Sequence, residues 1–232
     1  MRVSAIIPAA GKGRRIKSKI DKPYIELLGK PILAYTLLRL SRSNLIDEVI
    51  VAADREKVKF LERNIIDRFN IKKTKVIIGG RERIDSVRNA LREVSAGIDY
   101  VVVHDGIRPF VTEDMIKRSL GAAKRFGAGV VAVPVKPTLK CAEKNGRVKY
   151  TPDRRDYWEA QTPQAFRRDL LERAYKKIGR KSAGITDDSM LVERLGIKPK
   201  LVMGSYGNIK ITTQEDLELA KILTSHSCNA LM

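Results

Sequence analysis

Val3-Ser4-Ala5-Ile6-Ile7-Pro8-Ala9-Ala10-Gly11-Lys12-Gly13-Arg14-Arg15 is the stretch that decides the fold. Val3 to Ile7 is a short apolar run rich in β-branched residues, the length of a buried strand rather than of a helix. It empties into a turn of small residues and then into positive charge. Small residues let a backbone approach a ligand closely, and successive N–H groups in such a turn cradle phosphate oxygens. The turn is not a P-loop, since no Gly-Lys-Ser/Thr follows, and it lacks the three-glycine spacing of the dinucleotide fingerprint. A lone Gly-x-Gly is better read as a solvated strand-to-loop turn. Arg14, Arg15, Lys17, Lys19 and Lys22 tip the reading toward phosphate.

Outward from this strand, apolar runs alternate with helical patterns. Pro31 to Leu40 reads as a helix, with Pro31 suited to its first position. Glu48 to Ala52 is a second strand. Asp54 is placed to cap a helix whose Val58, Leu61, Ile65 and Phe69 recur near helical spacing. Lys75 to Ile78 is a third strand, ending at Gly79-Gly80, and Ile84, Val87, Leu91 and Val94 then share one helical face. Tyr100 to Val103 is a fourth strand, ending at His104-Asp105-Gly106. Ile116, Leu120 and Ala123 mark the inner side of a further helix, and Gly129 to Val135 a further strand. Helices follow from about Asp169 and about Thr186, and short strands near Leu201 and Ile209. A last helix starts near Thr212, where Thr212 and Glu215 have capping-box spacing.

This alternation predicts an α/β fold, a doubly wound and mostly parallel sheet covered on both faces. The 232 residues suffice for one substantial core, and no linker, repeat or low-complexity tract divides them, so 1–232 is read as one domain. One segment departs from the pattern. Between about 136 and 153, Asn145-Gly146 sits between short polar runs, a hairpin signal with little core to join. It is expected to project from the body.

The net charge of +19 has three readings. A basic surface attracts nucleic acid, a cationic site gathers several phosphates, and a lysine- and arginine-rich surface solubilises or resists heat. Charge alone does not choose among them. Cys141 and Cys228 are far apart and lack metal-ligand spacing, and His104 and His226 are the only histidines, so reduced thiols are expected and a zinc site is poorly supported. The apolar runs are far short of a membrane span, and the N-terminus lacks a signal-peptide pattern, so a cytoplasmic protein is expected.

Three further groups carry chemistry. Gly79-Gly80-Arg81-Glu82-Arg83-Ile84-Asp85-Ser86 places two permissive glycines at a strand end and Ser86 at a helix start, where its hydroxyl can meet a base edge. Alone this is a plain turn. His104-Asp105-Gly106-Ile107-Arg108-Pro109 places a carboxylate three residues from an arginine, suited to hydroxyls and phosphate together, or simply to a local ion pair. His104 reads as a packed strand-end residue rather than a base. Thr138, Arg154, Thr186-Asp187-Asp188 and Asn208-Ile209-Lys210 form the last group, each with a dull reading when taken singly. Thr186 could simply cap a helix.

Together these motifs, with Thr162-Pro163-Gln164 and Ile211-Thr212, resemble 2-C-methyl-D-erythritol 4-phosphate cytidylyltransferase of the non-mevalonate isoprenoid pathway, over nearly the whole chain. The resemblance implies a Rossmann-like nucleotidyltransferase fold. It implies that Pro8, Ala9, Ala10, Gly11, Lys12 and Gly13 wrap the CTP phosphates and that Arg15 and Lys22 stabilise the transition state. It implies that Gly79, Gly80, Arg83 and Ser86 take the cytidine side, and that Asp105, Arg108, Thr186 and Lys210 face the sugar-alcohol phosphate. Thr138 and Arg154 match residues reached from a neighbouring subunit, because the family dimerises through projecting arms. Arg154 and Lys210 would hold the attacking phosphate, and Mg²⁺ would be bound mainly through CTP phosphates. The chain departs from the family at Asp21-Lys22-Pro23-Tyr24, where Pro-Lys-Gln-Tyr is usual, and Pro23 pushes Lys22 toward extended angles. Gly106 stands where alanine is commoner.

The competitors are a ribitol 5-phosphate cytidylyltransferase, which shares the loop and cytosine features, a basic nucleic-acid-binding protein, and a catalytically silent nucleotide binder. The nucleic-acid reading lacks interleaved aromatics, a zinc module and an RNA-binding signature.

Overall fold

The computed structural model describes residues 1–10, 21–179 and 184–229, with side chains through Ser225. Along the chain the strands are β1 (Val3–Pro8), β2 (Glu26–Leu27), β3 (Lys30–Pro31), β4 (Glu48–Ala53), β5 (Thr74–Ile78), β6 (Tyr100–Val103), β7 (Ala128–Pro134), β8 (Cys141–Ala142), β9 (Val148–Tyr150), β10 (Trp158–Arg167) and β11 (Lys200–Met203). The helices are α1 (Ile32–Arg42), α2 (Val58–Leu61), α3 (Arg83–Arg92), α4 (Glu113–Phe126), α5 (Arg168–Ile178), α6 (Ser189–Glu193) and α7 (Gln214–Asn229). Seven strands form one sheet in the order β11-β7-β10-β6-β1-β4-β5. Pairing is parallel at β1–β4, β1–β6, β4–β5 and β7–β11, and antiparallel on both sides of β10.

The period-two alternation of strand side chains sorts the core into two layers. Ala5 and Ile7 of β1 turn to one face, where Leu33, Leu37 and Leu40 of α1 and Ile116, Leu120 and Ala123 of α4 cover them. Ile6 turns to the other, with Val87 and Leu91 of α3 and Leu170, Leu171 and Ala174 of α5. Both faces of the sheet are therefore dry, which is why β1 and β6 read as nearly continuous apolar runs. Each fully buried Leu, Ile or Val contributes about 1.5–3 kcal/mol. A smaller cluster of Leu27, Ile32, Ile211, Leu217 and Ala220 docks α7 beside the β2–β3 hairpin.

The predicted α/β sheet is present, and several local expectations change. β10, a ten-residue strand between β6 and β7, is not announced by its sequence. Its Glu159, Gln161, Thr162, Gln164 and Arg167 blur the apolar pattern, and a register shift between Ala160 and Gln164 breaks its pairing with β7. No strand forms near Ile209. There the chain makes no ladder: Asn208 N–H bonds the Ser205 carbonyl at 3.0 Å in a turn, and Ile211 N–H bonds the Ile107 carbonyl at 3.0 Å. The helix expected after Asp54 is a 3-10 turn at Arg55–Lys57, then α2, then a π turn at Glu62–Asp67, and the Asp54 side chain makes no capping bond. The helix expected from Thr186 is α6 and starts at Ser189. The Asp187 carboxylate, not Thr186, accepts the Met190 N–H at 3.1 Å. At α7 the capping pair lies one residue further on. The Thr213 hydroxyl accepts from Asp216 N–H at 3.2 Å, and the Asp216 carboxylate accepts from Thr213 N–H at 2.8 Å.

The Asn145-Gly146 hairpin forms as β8 and β9. Glu143 N–H bonds the Arg147 carbonyl at 2.9 Å, leaving a three-residue loop in which Gly146 takes the left-handed conformation at φ 84°. That is a turn ending in a glycine bulge. Residues 142–151 are all exposed. Cys141 is a free thiol, while the side chains of His226 and Cys228 lie outside the described residues.

Candidate active site

β1 lies between β4 and β6. The chain runs outward from β1 to β4 and β5, then returns to β6 on the other side of β1. Open α/β sheets bind ligands at such a reversal, beyond the carboxyl ends of the strands. A crevice of about 580 Å³ opens there, lined by Pro8, Ala10, Asp54, Gly80, Arg81, Arg83, Ser86, Asp105, Gly106, Ile107 and Lys210. The volume suits a small polar ligand.

The glycines at the end of β5 are required by close packing. A Cβ on Gly79 would lie 2.8 Å from the Ala10 Cβ, and one on Gly80 would lie 2.2 Å from the Asp85 Cβ. Ser86, which the sequence suggests for a base edge, has its hydroxyl engaged in closing this loop. It accepts from Gly80 N–H at 3.0 Å and donates to the Glu82 carbonyl at 3.1 Å. The hydroxyl therefore shapes the Gly80–Ser86 loop, whose residues Gly80, Arg81, Arg83 and Ser86 all face the crevice.

Asp105 is the electrostatic centre. Its Oδ1 meets Arg83 Nε at 3.3 Å, and its Oδ2 meets Arg108 Nε at 3.3 Å and Lys210 Nζ at 2.9 Å. Burial pushes the Asp105 carboxyl up, but Arg83, Lys210 and Arg108 together hold it well below the usual carboxylate range. Arg83 also donates to Asp188 at 2.7 Å, and Tyr175 OH donates to the other Asp188 oxygen at 2.5 Å. Burial opposes the Arg83 charge, and Asp188 and Asp105 more than offset it. Arg83 Nη2 is buried and has no hydrogen-bond partner among the described residues, a donor that a ligand acceptor would satisfy.

His104 lies behind this cluster and is fully buried. Its Nε2 donates to the Arg108 carbonyl at 3.0 Å, so Nδ1 must accept from the Thr162 hydroxyl at 3.0 Å. That hydroxyl in turn accepts the Asp105 N–H at 3.0 Å. The chain of bonds fixes the Asp105 backbone from both ends. Burial lowers the His104 pKa to about 4, so the ring is neutral near pH 7 and cannot serve as an exposed base.

Of the residues singled out in the sequence, Pro8, Ala10, Gly80, Arg83, Ser86, Asp105 and Lys210 share the crevice. Ala9 and Gly79 do not line it: Ala9 is buried in the core, and Gly79 packs against Ala10. Arg108 is buried behind it, donating to the Asn208 carbonyl at 2.8 Å as well as to Asp105. Lys22 does not line the crevice; its Nζ bonds the Thr212 carbonyl at 2.5 Å, at the end of the Asn208–Thr212 segment that carries Lys210. It begins a 3-10 turn over Lys22–Tyr24 and is not extended, because Ile25 N–H bonds back to its carbonyl; Asp21 takes the extended angles instead. Thr186 is exposed, with its hydroxyl on the Met190 sulfur at 3.1 Å. Thr138 and Arg154 are exposed at the arm, where Arg154 donates to the Lys136 carbonyl, and neither lines the crevice. Gly11, Lys12, Gly13 and Arg15 lie outside the described residues.

Sequence reasoning gave Asp54 only a capping role and did not single out Tyr175 or the Arg83 contact of Asp188. Only Asp188 carried a signal, its place in the Thr186-Asp187-Asp188 run. Tyr175 sits at a core position of α5, where a buried hydroxyl leaves no trace in the pattern.

Residues 3–225 match the sequence model of the family described as IspD, 2-C-methyl-D-erythritol 4-phosphate cytidylyltransferase. A 2-C-methyl-D-erythritol 4-phosphate cytidylyltransferase of Syntrophus aciditrophicus (strain SB) is 46% identical over 221 residues, covering 95% of this chain and 94% of that protein. One of Clostridioides difficile (strain 630) is 44% identical over 218 residues, covering 94% and 92%. The crystal structure of 4-diphosphocytidyl-2C-methyl-D-erythritol synthase from Anaerococcus prevotii DSM 20548 superposes with a TM-score of 0.85 at 34% identity, over 97% of this chain and 96% of that one. With its Gly79-Gly80 turn and cation-bound aspartate beside the β1–β6 reversal, the chain belongs to the 2-C-methyl-D-erythritol 4-phosphate cytidylyltransferase family.

Proposed function

We infer that this chain transfers CMP from CTP to 2-C-methyl-D-erythritol 4-phosphate, giving 4-diphosphocytidyl-2-C-methyl-D-erythritol and pyrophosphate for isoprenoid precursor synthesis. The observation that carries the reading is the convergence of Arg81, Arg83 and Lys210 with Pro8, Ala10 and Gly80 on one crevice, in a chain of this family.

A phosphate monoester is mostly dianionic at neutral pH, so its oxygen attacks the α-phosphorus without a general base. A P–O bond forms to the acceptor phosphate as the bond to pyrophosphate breaks in line. The obstacle is the meeting of two anions, and catalysis is positioning plus electrostatic stabilisation. Arg15 and Lys22 neutralise charge growing at the α-phosphate and leaving group. Lys210, held by Asp105, meets the acceptor phosphate together with Arg154. The Gly80–Ser86 loop takes the cytosine.

Among the described residues no three His, Cys, Asp or Glu side chains gather as a metal cage. Among the described residues Asp54 and Asp105 are the carboxylates that line the crevice; both Asp105 oxygens are already paired with cations, so Asp54 would hold Mg²⁺, which takes one or two carboxylates and completes its shell with phosphate oxygens and water. When bound it neutralises triphosphate charge.

The enzyme works as a homodimer in the cytoplasm, where CTP is made, with Thr138 and Arg154 reaching the partner's crevice. Exposed Val148, Tyr150, Tyr157 and Trp158 on and beside the arm, and Leu201 and Met203 on edge strand β11, support that surface as an interface. No described helix is long and apolar enough to cross a membrane.

Pyrophosphate release from CTP and Mg²⁺ tests the reading. Release is expected with 2-C-methyl-D-erythritol 4-phosphate and not with ribitol 5-phosphate, and the reverse preference would replace it. Tight, sequence-selective RNA or DNA binding without CTP turnover would favour the nucleic-acid alternative.

A further inference from the structure

A second cavity, of about 440 Å³, lies on the reverse side of the segment that carries Asp105. Gly106 and Ile107 line the crevice, whereas Pro109, Phe110 and Val111 line this cavity. Its opposite wall is α1, through Tyr35, Leu38, Arg39 and Arg42. Ile116 of α4 adds to an apolar floor. Lys30, Arg39 and Arg42 bring three positive charges to the lining, against the single carboxylate of Glu113.

Arg39 is the informative residue. It is half-buried, and its Nη1 donates to the Val111 carbonyl at 3.2 Å. Among the described residues it has no carboxylate within ion-pair distance, unlike Arg83 and Arg108. Burial alone lowers its pKa, as expected for a guanidinium that has lost water without gaining a counter-charge. Such a charge is stabilised by any anion that enters. Arg42 follows three residues later on the same helix face and is exposed. The cavity thus joins an apolar floor to an arginine pair.

We propose that this cavity is a second ligand site that takes a small amphipathic anion, a short hydrocarbon chain bearing a phosphate, with the chain on Leu38, Phe110 and Ile116 and the phosphate on Arg39 and Arg42. The volume is at the lower end for small-molecule sites, which limits the chain to a short one.

The test is calorimetric titration of the protein with hexyl phosphate, in saturating CTP and 2-C-methyl-D-erythritol without added Mg²⁺, so that the nucleotide part of the crevice is filled. The Arg39 and Arg42 variants separate this cavity from the Lys210 side. Hexyl phosphate should bind at least tenfold tighter than inorganic phosphate or hexanol. Arg39→Gln should weaken it about tenfold, and Arg42→Gln several-fold; the second variant alters an exposed side chain and keeps the test open if the first does not fold. Affinity equal to that of inorganic phosphate would reduce the site to surface charge and overturn the proposal. So would affinity unchanged in both variants, or binding abolished by CTP, which would assign hexyl phosphate to the crevice.

Discussion

At the crevice, Arg83 and Lys210 from its lining and Arg108 from behind it converge on one buried carboxylate. On the arm, Arg155 folds onto Asp153 two residues away and Arg154 onto the Lys136 carbonyl, all in solvent. The residue types are the same, and the physics is not. In the first region, low dielectric strengthens each attraction, and the cations are held in place before any ligand arrives. In the second, water and salt screen the pairs, and side-chain entropy opposes them. A net charge of +19 therefore says little until the cations are sorted by what surrounds them.

The comparison breaks most visibly at Asp105. Asp105→Ala leaves Arg83, Arg108 and Lys210 facing one another, and should cost about 3–5 kcal/mol of unfolding free energy in urea titration. A loss below about 1 kcal/mol would mean that the cluster is as solvated as the arm. Next in size are the cations assigned to the chemistry. Arg15→Ala, Lys22→Ala and Lys210→Ala should each lower kcat about 10²–10³-fold while the protein still folds. A near-wild-type rate for Arg15→Ala would remove it from the mechanism.

The third test uses pH. The fold holds His104 neutral down to about pH 4, while the unfolded chain protonates it near 6.5. Between those values the unfolded state binds more protons, so stability falls as pH falls, by on the order of 3 kcal/mol across the window. His104→Gln should flatten that part of the stability–pH curve, measured by urea midpoints. An unchanged slope would mean that the ring is protonated within the fold. The Asp105 contribution is distinct: its depressed pKa gives stability that is present above about pH 4 and fades below it. The smallest effects belong to the arm. Arg155→Ala should leave Tm unchanged, and Arg154→Ala should lower turnover without moving Tm. A Tm drop in Arg155→Ala would show that the Asp153 pair is more than a surface contact.

The same contrast explains what the sequence reveals. β1 and β6 are legible because both faces of the sheet are covered and their residues are apolar throughout. The crevice is legible because a glycine cannot be hidden where β5 meets β1: Gly79 and Gly80 admit no Cβ. β10 is not legible, because its central polar residues are buried for their hydrogen bonds. Gln164 accepts from Ser189 N–H at 3.2 Å and donates to Asp187 at 2.7 Å, and Asn208 donates to the Thr162 carbonyl at 2.8 Å. Those contacts join residues tens of positions apart, and no local pattern encodes them. The choice of Thr213 over Thr212 as the α7 cap is a register difference of one residue, below what spacing resolves. Roles for Thr138 and Arg154 come from the family resemblance alone, since both stand in solvent away from the crevice in the single chain.

The polarity of β10 has a consequence for where a neighbour can act. β7 runs parallel to β6 and leaves the sheet at Pro134, and Trp158 opens β10 opposite that same residue. Exit and re-entry therefore share the rim onto which β1, β4, β5 and β6 also discharge. The excursion from 135 to 157 is tethered by both ends on the rim where the crevice opens. Had β10 run the other way, its loop would have had to return to the far rim before re-entering. A protein gripping that excursion meets the molecule on the rim that carries the candidate crevice, by strand direction alone.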